Sequence, residues 1–217
     1  GRGFYVHGDA AMPPVVATES AQPAPAKVRF AGDDAPVAGL RERFAAAALD
    51  DGTFALPAGI APACFAIGDA LLVPSDGRTA TAVAAAVGVR NTVVFDLALD
   101  YRHCKRLAIA AADTCDARAL AMATGALQAV GIVVSRIDDV AGLVVLRTVA
   151  MLANEAADAV TQGIATAADI DLAMRNGVNY PRGPLAWADA IGLDPVQTLL
   201  RHLAAQLARE FFHHRHA

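Results

Sequence analysis

Apolar residues along this chain come in short runs as far as position 135 and in long helical stripes beyond it. Residues 27–32 (KVRFAG) alternate and predict a strand, which passes through Asp33, Asp34, Ala35 and Pro36 into a helical stretch over 37–49. Residues 69–74 (DALLVP) and 92–97 (TVVFDL) read as buried strands. Between them lie a Ser75-Asp76-Gly77 turn and an Ala-rich helix over 79–87, with Ser75 or Thr79 as its cap. A helix over 115–130 ends at Gly131, and 132–134 is a last short strand. Strands alternating with helices predict a parallel sheet.

Past residue 139 the pattern turns helical. Residues 142–162 are apolar on most faces and predict a buried central helix about 30 Å long. Gly163 ends it. Thr166 with Asp169 caps a helix that runs to Arg175 and stops at Asn176-Gly177. Pro184 starts a short helix carrying the one Trp, Trp187, and Asp194-Pro195 opens a final amphipathic helix through Leu199, Leu200, Leu203 and Leu207.

With 217 residues and 55% hydrophobic content the chain can bury a sizeable core in one or two domains. The net charge of -4 argues against a nucleic-acid binder, which needs clustered cations to neutralise phosphates, and no basic run is longer than residues 102–106. Arg147 breaks the most apolar segment well short of the ~20 residues a membrane span requires. Cys64, Cys104 and Cys115 form no CxxC pair and are odd in number, which points to reduced thiols in a cytoplasmic protein. Residues 1–5 carry neither an initiating Met nor an apolar leader, so the sequence reads as a piece of something longer. Residues 10–27 are rich in Ala and Pro and read as an extended linker.

Candidate chemistry is sparse. A dinucleotide turn needs glycines at GxGxxG spacing so that backbone can approach a pyrophosphate, and only Gly32 is present, followed by two carboxylates that repel phosphate. The Ser75–Thr79 turn could hold an anion, although a plain strand-helix connection explains it better. His103 beside Cys104 suggests a base and a nucleophile, but sequence neighbours seldom face one another. His213, His214 and His216 have no carboxylate or thiol to complete a metal site.

The second half carries a more specific signal. It reads Asp139-Val-Ala-Gly142-Leu143-Val-Val-Leu146-Arg147, Asn154-Glu155-Ala156, Asp169-Ile170-Asp171 with Ala173-Met174, then Gly177, Pro181-Arg182-Gly183-Pro184 and Gly192-Leu193-Asp194. In that order and over some 55 residues, these motifs resemble the C-terminal helical domain of the 3-hydroxyacyl-CoA dehydrogenases. Less specifically, residues 26–135 resemble that family's NAD-binding domain, and 1–5 resemble the end of a complete module.

The resemblance implies an α/β plus all-α fold: a vestigial Rossmann-like parallel sheet followed by the helical domain. The expected division is 1–26, linker and tail of a preceding module; 27–135, degenerate Rossmann-like domain; and 136–217, helical domain. It implies a tandem NAD-dependent enzyme oxidising 3-hydroxyacyl-CoA to 3-oxoacyl-CoA, of the 3-hydroxybutyryl or 3-hydroxyadipyl type. NAD and the acyl-CoA would be bound by an upstream catalytic module, and the parent would be a cytoplasmic homo-oligomer. The family's catalytic His falls at Asp96 or Leu97, the Glu that orients it at Ala108 or Ile109, and its Asn at Leu146. Neither alignment gives a His-Glu pair and Leu146 cannot hydrogen-bond, so the fragment itself is expected to hold no catalytic, cofactor or metal residue. Its expected roles are assembly and substrate enclosure, with Leu143, Leu146, Tyr180 and Arg182 as candidate contributors. A purely structural dimerisation module is the alternative.

Overall fold

The computed structural model describes residues 16–33, 35–60 and 62–213, with side chains to residue 206. The α/β part runs β1 (Val28–Gly32), α1 (Ala38–Ala46), β2 (Asp50–Thr53), β3 (Ala63–Ile67), β4 (Ala70–Pro74), α2 (Ala80–Val87), β5 (Thr92–Phe95), β6 (Arg106–Ala111), α3 (Ala117–Ala129) and β7 (Val133–Arg136). The helical part follows as α4 (Val145–Thr161), α5 (Ala167–Gly177), α6 (Pro184–Ile191) and α7 (Leu193–His213). The Rossmann-like layer and helical domain expected from the sequence are both present.

The sheet is mixed rather than parallel throughout, with strand order β2-β1-β3-β4-β5-β6-β7. Strands joined through a helix, β1 to β2, β4 to β5 and β6 to β7, pair in parallel; β1 with β3, β3 with β4, and β5 with β6 pair antiparallel. Connection length explains the difference, because a parallel neighbour needs a helical crossover while a short loop returns the chain antiparallel. The β3–β4 loop is the two residues Gly68-Asp69, with Gly68 at φ +59°, the left-handed geometry such hairpins favour. Residues 96–105, between β5 and β6, contain no helix at all.

Successive strand residues face opposite layers. Phe30, Phe65, Leu72, Val93, Phe95 and Ile109 pack under α1 and α3, while Val94, Ala110 and Ala112 pack under α2. Under α1 the aromatic rings of Phe44, Phe65, Phe30, Phe95 and Tyr101 form a chain of contacts with centroids 5.3–6.4 Å apart. Each such side chain contributes about 1.5–3 kcal/mol by leaving water.

The long helix α4 is not buried all round. Only one stripe, Leu146, Val149, Ala150, Ala153 and Ala156, is covered, while Val145, Met151 and Val160 remain 44%, 39% and 37% exposed. The stripe follows the 3.6-residue period and meets α6 and α7, through Ala188, Val196, Leu199 and Leu203. Ala at three of its five positions keeps the covered face narrow.

Candidate functional site

At the carboxyl end of β5 the chain places Asp96, 1% exposed. Its carboxylate meets the amino end of α4. Oδ2 accepts from the Val144 and Val145 amides at 3.0 and 2.7 Å, and Oδ1 from the Leu146 amide at 2.9 Å and its own neighbour Leu97 at 2.8 Å. Helix amino ends leave amides without partners inside the helix, and Val144 has no side chain able to cap them. Gly142 at φ +73° and Leu143 at φ +51° turn the backbone so that these amides point at β5. The negative charge also meets the positive end of the helix dipole. Of the two positions expected for the catalytic base, Asp96 is therefore a cap, and Leu97 packs against the Leu146–Leu199 cluster. The Asp96 amide donates to the Ala108 carbonyl at 3.0 Å, so the expected positions of base and orienting residue are still neighbours. What they lack is side-chain chemistry: Ile109 is fully buried in the core, and the Ala108 methyl has no polar atom.

Between the α/β layer and the helices lies a cleft of about 500 Å³. Val37, Pro62, Tyr101, Leu146, Ala150 and Leu199 supply apolar wall, and Asp33, Asp76 and Asp194 supply carboxylates. Tyr101 donates its hydroxyl to the Asp96 carbonyl at 2.9 Å, and burial pushes its pKa up, so it stays a neutral phenol. Asp76 is neutralised by Arg78, whose guanidinium lies 2.6 Å away.

The β1–α1 turn beside this cleft is used for packing. A Cβ on Gly32 would overlap the Pro62 carbonyl, so the glycine lets the start of β3 close on β1. Asp33 donates its amide to Pro62 at 2.9 Å and accepts from Ala35 at 3.0 Å through Oδ1. A dinucleotide pyrophosphate needs open backbone amides at a helix start, and the residues here do not fit that group. The Ser75–Thr79 turn is likewise committed. Thr79 Oγ1 accepts from Ala82, and Asp139 accepts from Ala80 and Thr81 at 2.6 and 2.8 Å, so the first amides of α2 are taken.

His103 and Cys104 do not face each other. His103 Nδ1 lies 2.7 Å from Asp100 on an 83% exposed ring, and that contact holds the Asp100 carboxyl below its usual range. Cys104 points its thiol at the Arg106 carbonyl, and burial pushes its pKa up, away from the thiolate. Cys64 is fully buried and pushed up to about 12. Among the described residues, no group of three or more His, Cys, Asp or Glu could hold a metal ion, and no helix is long and apolar enough to cross a membrane. Residues 1–5, Asp34 and the side chains of the terminal histidines lie outside the described residues.

Of the four candidate enclosure residues, only Leu146 lines the cleft. Leu143, 3% exposed, packs under α2 with Val83 and Val94. Tyr180 packs against Trp187 in a tilted pair with centroids 6.0 Å apart, and Arg182 is half-buried on the same α5–α6 loop. Sequence reasoning missed the carboxylates that tie this region together: Asp96 on α4, Asp139 on α2, and Asp171, which accepts from Leu185 and Ala186 at the start of α6 at 2.9 Å each. Each acts on a helix distant in sequence, so no local capping pattern marks it.

Two family models match in succession. Residues 72–140 match the 3-hydroxybutyryl-CoA dehydrogenase reduced Rossmann-fold domain, and residues 142–217 match the 3-hydroxyacyl-CoA dehydrogenase C-terminal domain. The chain is 42% identical over 144 residues to a 3-hydroxyadipyl-CoA dehydrogenase of Escherichia coli, covering 66% of this chain and 29% of that protein. It is 44% identical over 62 residues to a 3-hydroxybutyryl-CoA dehydrogenase of Clostridioides difficile, covering 29% of this chain and 22% of that one. A crystal structure of 3-hydroxybutyryl-CoA dehydrogenase from E. coli superposes with a TM-score of 0.70 at 32% identity, over 91% of this chain and 35% of that one. The chain thus spans less than a third of either curated relative's length. With both matched segments falling in one family, and with its mixed sheet and helical domain superposing on a member of it, the chain belongs to the 3-hydroxyacyl-CoA dehydrogenase family.

Proposed function

We propose that this chain is the non-catalytic C-terminal part of an NAD-dependent 3-hydroxyacyl-CoA dehydrogenase, joined to an upstream catalytic module that binds NAD and the acyl-CoA. Its role is assembly of the parent, a cytoplasmic homo-oligomer, and enclosure of the substrate by the cleft wall around Leu146 and the loop carrying Tyr180 and Arg182. The observation that carries this reading is Asp96: at a position where the resemblance places the general base, a carboxylate is committed to four backbone amides. A group so engaged cannot accept a proton from a substrate hydroxyl without releasing the helix it caps. Support also comes from Gly32 and Asp33, whose turn is spent on strand packing.

The second reading, a scaffold without ligand contact, is favoured by α5. None of its residues is buried, and Leu172 and Val178, each 53% exposed, stand with Val144 and Val145 as apolar surface of the helical part. Titrating the chain with NADH and with acetoacetyl-CoA separates the readings. Weak acetoacetyl-CoA binding that Leu146→Asp abolishes supports enclosure, and no binding of either molecule leaves the scaffold.

A further inference from the structure

Residues 16–25 lie along the fold as an extended segment held by two elements. On the sheet side, the Glu19 amide donates to the Val134 carbonyl at 2.8 Å, and Ser135 Oγ donates to the Ala17 carbonyl at 2.7 Å. Arg136 pairs with the Glu19 carboxylate at 3.1 Å, and Arg106 donates to Thr18 Oγ1 at 3.0 Å. On the helix side, the Gln128 side chain reads three backbone groups at once: its Oε1 accepts from the Gln22 amide at 2.8 Å, and its Nε2 donates to the Ser20 and Glu19 carbonyls at 3.0 and 3.3 Å. One turn back on α3, a Cβ at Gly125 would overlap the Pro23 carbonyl oxygen. Glycine is unfavourable inside a helix relative to alanine, and here its missing side chain makes the room the segment needs.

These contacts fall on the outer side of β7, the last strand of the sheet, whose free backbone groups would otherwise lie open. A tether that merely spans two domains needs no such receiving surface. We propose that the groove between α3 and β7 is a docking site for an extended segment, occupied by residues 16–25 of this chain, and that this docking fixes where the preceding chain leaves the fold. The groove recognises backbone through Gln128, a small-residue path through Gly125, and one acidic side chain through Arg136. The proposal does not depend on whether the cleft binds any ligand.

Cleavage of the whole 217-residue chain by a Glu-specific protease tests it, because Glu19 is the only Glu ahead of Glu42. The cut after Glu19 reports the opening of the segment, and amide exchange at Glu19 and Gln22 reports it independently. The docked segment is expected to be cut at least tenfold or so more slowly than a free peptide of the same sequence, since cleavage follows the open population. Gly125→Ala raises helix propensity yet removes the room for Pro23, and is expected to speed the cut toward the peptide rate. Gln128→Ala, on a half-buried side chain, is expected to do the same and to expose the Gln22 amide. Cutting of the wild-type chain as fast as the free peptide, or no acceleration in either variant, would overturn the proposal.

Discussion

The Leu146 amide donates to Asp96 Oδ1 at 2.9 Å, across 50 residues of sequence. Leu146 occupies the position where the resemblance places the substrate-positioning Asn, and Asp96 is one of the two positions, with Leu97, where it places the catalytic base. Here they are joined by a structural bond: the strand end that would present a base caps the helix that would present the Asn. The same contact fastens the α/β layer to the helical part, so Asp96 is expected to matter for stability and not for turnover.

Asp96→Ala leaves the buried Leu146 amide and the part-buried amides of Val144 and Val145 without their acceptor, and about 3 kcal/mol of stability should be lost. Asp96→Asn retains one acceptor oxygen but turns an amide group toward a donor, so an intermediate loss is expected. Urea unfolding of the three proteins measures both; an Asn variant as stable as the wild type would show that the charge and the second oxygen contribute nothing. Asp96→His, which installs the family's residue type, is expected to destabilise as Ala does and to bring no activity.

Asp139 and Asp171 make the same kind of contact at α2 and α6. Asp139→Ala is expected to cost about 1–2 kcal/mol, and Asp171→Ala a similar amount. In the Asp171 variant, amide exchange of Leu185 and Ala186 should rise while β5 stays protected. Uniform loss of protection would mean that the contact holds the whole fold and not one helix.

How far these features could be read from the sequence differs by kind. The helices with local signals were legible: Thr166 before Asp169 and Pro184 at a helix start both stand where the pattern predicts. The expectation for the dinucleotide turn rested on Gly32 with Asp33 and Asp34, and of these Gly32 and Asp33 pack against the start of β3. β3 and β6 were not read, because Ala-rich strands such as ACFAI and RLAIAA have weak strand propensity and no clean alternation. The Gly68-Asp69 pair between two apolar runs was a usable hairpin signal and would have revealed the antiparallel turn. Asp96 could be aligned to the base position, but its capping role depends on a contact between residues 48–50 apart, which periodicity does not encode.

The thiols should separate by burial. Cys64 is fully buried with its pKa pushed up to about 12, while Cys104 and Cys115 are half-buried and raised to a lesser degree by the same desolvation. Alkylation of the native chain is expected to modify Cys104 and Cys115 slowly, faster as pH rises, and Cys64 only after unfolding. Mass spectrometry of the peptides checks this, and early labelling of Cys64 would contradict its packing among Ala31, Ile60, Leu71 and Val73.

Asp116 accepts from the Ala119 amide at 2.8 Å as the cap of α3, and that bond holds its carboxyl below the usual range. Because the folded pKa is the lower one, this contribution is fully present above the unfolded value of about 3.9 and is lost as pH falls through the folded one. Asp116→Ala should therefore melt lower than the wild type near neutral pH, and the difference should shrink toward pH 2 or so. Thermal melts across that range measure it. A difference independent of pH would assign the effect to packing instead of charge.

The central claim, that this module performs no hydride transfer, is tested most directly by adding NADH and acetoacetyl-CoA to the purified 217-residue chain and following NADH absorbance. With Asp96 held by four amides and the β1–α1 turn closed by Asp33, the rate is expected to equal that of the same mixture without protein. Oxidation of NADH in proportion to the amount of chain added would contradict the account.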